Sequence, residues 1–532
     1  VVQADELVTP RRTGLALLLG VPLAALLATF ACQETAPRPA EGGSAPEEAP
    51  PTPRETQRGT PVELLITGDD DGYLDACGCD DGLLGGLPRR KSLMRYLGVE
   101  DGHALVLSNG GIVPLRPGLP PESPERELDL LKLDYQLLAM LDMHCAAIAL
   151  TECELALGRA ALVAAAASLG DDCPFVATNL FDTRTAADST QPELPFRRSV
   201  VRTVRDRTIA VFAVLAPSHA AAVTGADAHV RLEPMAAALR AGLGKVAERG
   251  KPWKTVVLAQ ADAEEAKQLA QEVPTIDVMV IPSPDGEDAP EEKSLRVGTT
   301  DILTTGRKGK FVVRYRFGVD GGRASWKAED VNDGLDKDPS IKELLDGYRD
   351  RLKDELPIRR WYGRTPDPGG VAYVGSDESC ANCHAQAWKT WQASRHARAW
   401  KTLQDQDLPP PPDLKKGHLK NAVFDPDCVR CHTTGFGLAS GYRGSEKEDP
   451  KAPLVNVGCE ACHGPSGDHA ERAARGDPTY PGGHLPSVAN GTANGLCMRC
   501  HDPDNSPQFV LKEYWVGQVH GEQREAVAHG KE

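Results

Sequence analysis

The chain has 532 residues, 41% hydrophobic and 26% charged, which is enough for two or three domains with separate cores. A formal charge of −16 argues against nucleic acid as a partner, because phosphate binding needs a basic face. Near the N-terminus, Arg11 and Arg12 precede an apolar run from Leu15 to Phe30 that is broken by Gly20 and Pro22 and short for a spanning helix. With Ala31-Cys32 behind it, residues 1–32 read as a secretory signal. Cys32 is a candidate for lipidation, plain cleavage or a retained anchor being the alternatives. Residues 33–60 are rich in Pro, Glu, Ala and Gly and read as a disordered tether that would hold the rest off a membrane.

From Val62 onward, apolar runs alternate with helical periodicity. Val62 to Thr67, Ala104 to Leu107, Ala146 to Leu150, Phe175 to Ala177, Val256 to Ala259 and Val278 to Ile281 are expected as buried strands. Leu83 to Leu97, Glu125 to Leu141, Glu152 to Leu169, Met235 to Glu248 and Glu264 to Glu272 supply helical faces between them. Val200 to Val204 and Thr208 to Leu215 read as a hairpin, and a strand near Phe311 to Phe317 with a helix from Ser340 to Leu352 closes the domain. The fold class of residues 61–355 is therefore α/β.

Thr67-Gly-Asp69-Asp70-Asp71-Gly72, followed by Gly85-Gly-Leu-Pro-Arg-Arg90, resembles the opening of the 5′-nucleotidase-like metallophosphoesterases. The resemblance runs from Val62 to about Leu352. It implies a sandwich of two mixed sheets flanked by helices, with two metal ions held by loops at strand ends. Most of the ligands it would require are replaced. Asp69 remains, but Asp71 stands where the family has histidine, and Leu107-Ser-Asn-Gly-Gly111 replaces an Asp-x-Gly-Asp pattern. Thr151-Glu152-Cys153-Glu154 replaces Gly-Asn-His-Glu, Gln260 takes a usual histidine position, and Ile281-Pro-Ser-Pro284 replaces Gly-His-x-His; Asn179 matches a family asparagine. Two-metal hydrolysis needs the full set, so a degenerate domain without ordinary phosphohydrolase activity is expected. Cys77, Cys79, Cys145, Cys153 and Cys173 read as disulfide or buried cysteines. The family topology would nevertheless bring Cys77, Cys79 and Cys153 to the same pocket, where with Asp69, Asp71 and Glu152 they are candidates for a substitute metal or thiol site.

Residues 356–370 lose all periodicity and read as a linker. In residues 371–532 strand signals vanish and short helices alternate with loops. Four pentads stand here: Cys380-Ala-Asn-Cys383-His384, Cys428-Val-Arg-Cys431-His432, Cys459-Glu-Ala-Cys462-His463 and Cys497-Met-Arg-Cys500-His501. Each is a c-type haem attachment site: two thiols one short turn apart form thioethers to the porphyrin, and the adjacent imidazole meets the iron as proximal ligand. Zinc and disulfide frameworks have no need of a histidine directly after every pair. The domain is expected to be mainly α and loop-rich, with porphyrins filling its core.

A haem iron needs a second axial ligand or keeps an open position. Within residues 371–532, His396, His418, His469, His484, His520 and His529 are the histidines available outside the pentads. Tyr373-Val-Gly-Ser-Asp-Glu-Ser-Cys380, Trp391-Gln-Ala-Ser-Arg-His396, Cys431-His432-Thr-Thr-Gly-Phe-Gly and Val457-Gly-Cys459-Glu-Ala-Cys-His-Gly-Pro-Ser-Gly-Asp-His469 resemble the tetrahaem cytochrome family that includes the electron acceptor of hydroxylamine oxidoreductase. The resemblance covers Val371 to about Phe509. It implies closely packed haems passing electrons in series, with His396 and His469 as distal ligands. His418, His484 and His520 are further distal candidates. Some members keep one iron five-coordinate, which leaves open an enzyme acting on a small nitrogen or sulfur species.

The sequence thus favours an exported tetrahaem electron carrier, working between periplasmic or membrane-surface redox partners, over a haem enzyme or a metal-dependent phosphohydrolase with an attached cytochrome. Four covalent haem c groups are its expected cofactors.

Overall fold

The computed structural model describes residues 61–76, 82–170, 173–184, 193–284, 288–291, 295–318, 322–375, 378–404, 420–444, 454–477 and 492–515. The expectations for the signal, Cys32 and the tether, for Cys77 and Cys79, and for His418, His484, His520 and His529 fall on residues outside these.

Among the described residues fourteen strands form the α/β body: β1 (Glu63–Thr67), β2 (Ala104–Ser108), β3 (Cys145–Ala149), β4 (Phe175–Val176), β5 (Leu180–Asp182), β6 (Val200–Val204), β7 (Arg207–Leu215), β8 (Val230–Leu232), β9 (Lys254–Gln260), β10 (Val278–Ile281), β11 (Leu295–Val297), β12 (Thr300–Thr304), β13 (Phe311–Arg316) and β14 (Ser325–Asp330). One sheet has the order β14-β13-β1-β2-β3-β4, a second β11-β12-β10-β9-β7-β6, and β5 pairs with β8 alone. Both large sheets are mixed. β1 to β4 run parallel while β13 and β14 add antiparallel at the edge; β7, β9, β10 and β12 run parallel between antiparallel β6 and β11.

Side-chain alternation explains the layering, since successive residues of a strand face opposite sides. Leu64, Ile66, Leu105 and Leu107 meet Val211, Val256, Leu258 and Val280 in a core between the sheets. Leu65 and Val106 turn outward into a second core with the helices Leu87–Tyr96, Pro124–Asp142 and Pro339–Glu355. Met235–Ala247 and Ala263–Glu272 cover the outer face of the other sheet through Leu239, Ala266 and Leu269. Covering on both faces is why the central strands read as unbroken apolar runs. Helix Pro124–Asp142 starts where chemistry dictates: the Ser123 hydroxyl accepts from Arg126 N at 3.2 Å, Pro124 follows, and Glu125 and Glu127 occupy the first turn.

Two helices depart from expectation. The segment read as Leu83 to Leu97 becomes helical only at Leu87, because Gly85 and Gly86 take φ of 96° and 99°. Glu152 to Leu169 is two helices, Glu152–Leu155 and Arg159–Leu169, parted at Gly158 with φ of 87°.

Beyond Trp361 the described backbone has only short helices and isolated bridges such as Thr433 with Val455. Its apolar core is small, built on Trp400, Leu403, Val423, Val429, Tyr442 and Leu454. Among the described residues no helix is long and apolar enough to cross a membrane.

Candidate functional site

A connected cavity of about 1950 Å³ runs through the C-terminal region, well above the roughly 300–1,000 Å³ of ordinary ligand pockets. All four pentad histidines line it, as do His396, His469 and every pentad cysteine except Cys383. His384 faces His469 with ring centroids 6.0 Å apart and planes tilted by 34°; His396 faces His501 at 6.0 Å and 57°. Two imidazoles on opposite sides of one metal ion, each bonded at about 2.0–2.1 Å, put their ring centres roughly 6 Å apart. The residues present therefore fit a ligated haem iron at both places.

The pentads are held by hydrogen bonds that the motif itself does not announce. Helix Pro426–His432 carries the second pentad and is capped by Asp425, whose carboxylate accepts from Asp427 N at 2.9 Å. His432 Nδ1 lies 2.6 Å from the Ala399 carbonyl, so Nδ1–H donates there and Nε2 keeps the lone pair for a metal. The Thr434 hydroxyl donates to Asn456 O at 2.9 Å and accepts from Gly458 N at 2.8 Å, which ties the exit of the second pentad to the entrance of the third. Glu460, inside the third pentad and 1% exposed, accepts from Val374 N at 3.1 Å, Gly375 N at 2.8 Å and Ser466 N at 2.8 Å. That single carboxylate joins the segment before the first pentad to both ends of the third. His501 stacks on Phe509, centroids 4.6 Å apart.

In the α/β body, the loops beyond the carboxyl ends of the central strands bring a second group of polar side chains into contact. Asp69 follows β1, and its Oδ2 is 3.4 Å from the Thr305 hydroxyl beyond β12. Burial, then the neighbouring Asp71, pushes the Asp69 carboxyl up to about 7. Arg307 reaches Asp71 at 3.2 Å, and His219 meets Glu152 at 2.7 Å. Gln260 donates to the backbone carbonyl of Asn109, and Asn179 bridges Leu215 and Glu233. Gly110 permits the tight crossing of loops here, since a Cβ would lie 2.3 Å from the Ala149 carbonyl.

This donor set does not fit a metal pair. Arg307 occupies Asp71, burial and the adjacent Glu154 and Glu152 hold the Cys153 thiol well above its usual range, and among the described residues no three His, Cys, Asp or Glu side chains converge to hold an ion. Among the described residues Asp69, Asp71 and Cys153 are not gathered into such a group, and Cys77 and Cys79, the other thiols of the expected site, lie outside them. The opening motifs are joined structurally instead: Arg90 binds Asp70 through two bonds of 3.0 and 2.7 Å, both side chains fully buried.

Residues 379–464 match the family model for cytochrome c554 and c-prime. Cytochrome c-554 of Nitrosomonas europaea is 38% identical over 104 residues, 17% of this chain and 40% of that protein. The multiheme cytochrome MtrA of Shewanella baltica is 29% identical over 79 residues, 14% of this chain and 23% of that protein. The chain thus spans less than half the length of either relative. Among solved structures, a 5′-nucleotidase precursor from Thermus thermophilus superposes with a TM-score of 0.43 at 17% identity, covering 62% of this chain and 67% of that one. The matched segment resembles c-type cytochromes, and the match implies covalent haem as its cofactor.

The c554-like region is clamped to the α/β body by charge. Lys132 reaches Asp427 at 2.8 Å; Lys308 and Lys310 both bind Asp504, the former at 2.8 Å, and the Tyr73 hydroxyl donates to Asp504 at 2.9 Å. The Lys132 ammonium holds the Asp427 carboxyl at about 2. Burial pushes Asp504 up, but hydrogen bonds from Lys308, Lys310 and Tyr73 outweigh it and keep that carboxyl below its usual range. A carboxyl depressed on folding contributes stability that is complete above about pH 4 and is lost as pH falls through the folded value. Thermal melts between about pH 4 and pH 2 should therefore show a shallower decline for Lys132→Met than for the wild type; equal slopes would mean that this contact carries no weight.

Proposed function

We propose that the chain is an exported tetrahaem c-type cytochrome that relays electrons between redox partners in the periplasm or at the membrane surface. The observation that supports this best is the pair of imidazole couples, each 6.0 Å apart, in a cavity walled by pentad thiols. Haem iron supplies one-electron chemistry by cycling between ferric and ferrous states. His384, His432, His463 and His501 serve as proximal ligands, with His469 opposite His384 and His396 opposite His501. His418, His484 and His520 are the candidates for the remaining distal positions.

In this reading residues 61–355 form a domain that has left hydrolysis behind, 356–370 link it to the cytochrome domain of 371–532, and lipid on Cys32 anchors the whole. The acidic surface suits a basic redox partner.

Protein produced in a host with c-type haem maturation should weigh four haems more than its polypeptide. Replacing both cysteines of one pentad by serine should remove one haem and leave three. Colourless protein of bare polypeptide mass would end the reading. A carrier with every iron fully ligated should ignore added carbon monoxide, whereas one haem binding it would favour an enzyme with an open iron.

A further inference from the structure

We infer that the α/β body is a wall of the haem chamber and that Lys132, Lys308 and Lys310 selectively set the reduction potentials of the second and fourth haems. The inference rests on the four-haem reading above. The chamber is bounded by Tyr73, Lys132, Lys308 and Lys310 from the α/β body as well as by Asp427 and Asp504 from the cytochrome region. Asp427 directly precedes Cys428, the first thiol of the second pentad, and Asp504 lies just beyond His501 of the fourth. These two pentads also meet, Cys431 Sγ lying 4.0 Å from the Arg499 carbonyl. The charge clamps therefore fall on one adjacent pair of attachment sites.

Ferric haem carries one more positive charge than ferrous haem, so a carboxylate beside it favours the oxidised form and a balancing ammonium removes that bias. Local charge, burial and hydrogen bonding are the protein's means of tuning such a centre. Lys132 offsets Asp427 on the chamber wall, and Lys308 and Lys310 together offset Asp504 on the wall and Asp288 behind it. Without them, Asp427 or Asp504 would act on the haem uncompensated.

The test is potentiometric titration of the full chain, followed by visible spectra. Lys132→Met should lower one midpoint, and Lys308→Met with Lys310→Met another, while the remaining two stay in place. Pairing each change with Asp427→Asn or Asp504→Asn should return the midpoint towards the wild-type value, which a merely structural role would not do. Lys308→Gln, at the more exposed of the three positions, carries the same expectation with less demand on folding. Midpoints that do not move, or four that move together, would overturn the inference while haem mass remains at four. Loss of haem from the wild type would instead overturn the reading beneath it.

Discussion

Replacing Glu460 with alanine should destabilise the cytochrome region by about 3–5 kcal/mol, the range in which removing one partner from a buried charged network falls. The carboxylate is 1% exposed and accepts from Val374 N, Gly375 N and Ser466 N. Alanine would leave those donors without their acceptor in a region whose apolar core is small. Glutamine keeps the shape and one acceptor oxygen but not the charge, so Glu460→Gln should lose less. Denaturant unfolding of the haem-loaded protein, followed at a haem absorbance band, measures both. The alanine variant should also load haem poorly at the first and third pentads, because Glu460 fixes the chain before the first and just after the third. Equal stability of alanine variant and wild type would show that solvent or neighbouring groups satisfy those amides.

Much of this was legible locally. A pentad is complete within five residues, so reading one as a proposed attachment site needs no tertiary information, and the central strands announced themselves because both of their faces are covered. The imidazole couples were half legible: His396 and His469 stand out in the sequence, but only folding matches them with His501 and His384. What stayed hidden was short, polar or distant in sequence. β5 and β8 have three residues each and pair across a long insertion, and β14 at a sheet edge exposes Ser325, Lys327 and Asp330 and only half-buries Trp326, Ala328 and Glu329. Lys132 and Asp427 look like ordinary surface charges until the two bodies meet. Glu460 was concealed because any residue fits the variable positions of a pentad. Asp70 and Arg90 lie in motifs whose resemblance points to metal chemistry, whereas their role here is a buried ion pair.

The other large effect is expected at the axial positions. On the proposed ligation, His396→Ala opens the iron of the fourth pentad, and His469→Ala that of the first. Each variant should gain one high-spin haem per chain, visible by electron paramagnetic resonance, and bind one equivalent of carbon monoxide, with the other haems unaffected. His396→Met replaces imidazole by thioether at a ligand position that governs potential, so one midpoint should rise, on the order of 100 mV within the ~0.8 V range that axial ligands span. The two histidines are separable by experiment. His384 and His469 are tilted by 34° and His396 and His501 by 57°, and the relative orientation of axial imidazoles influences the low-spin signal. Each alanine variant should therefore erase a different low-spin component. If both erased the same component, or neither erased one, the 6.0 Å couples would not mark iron positions.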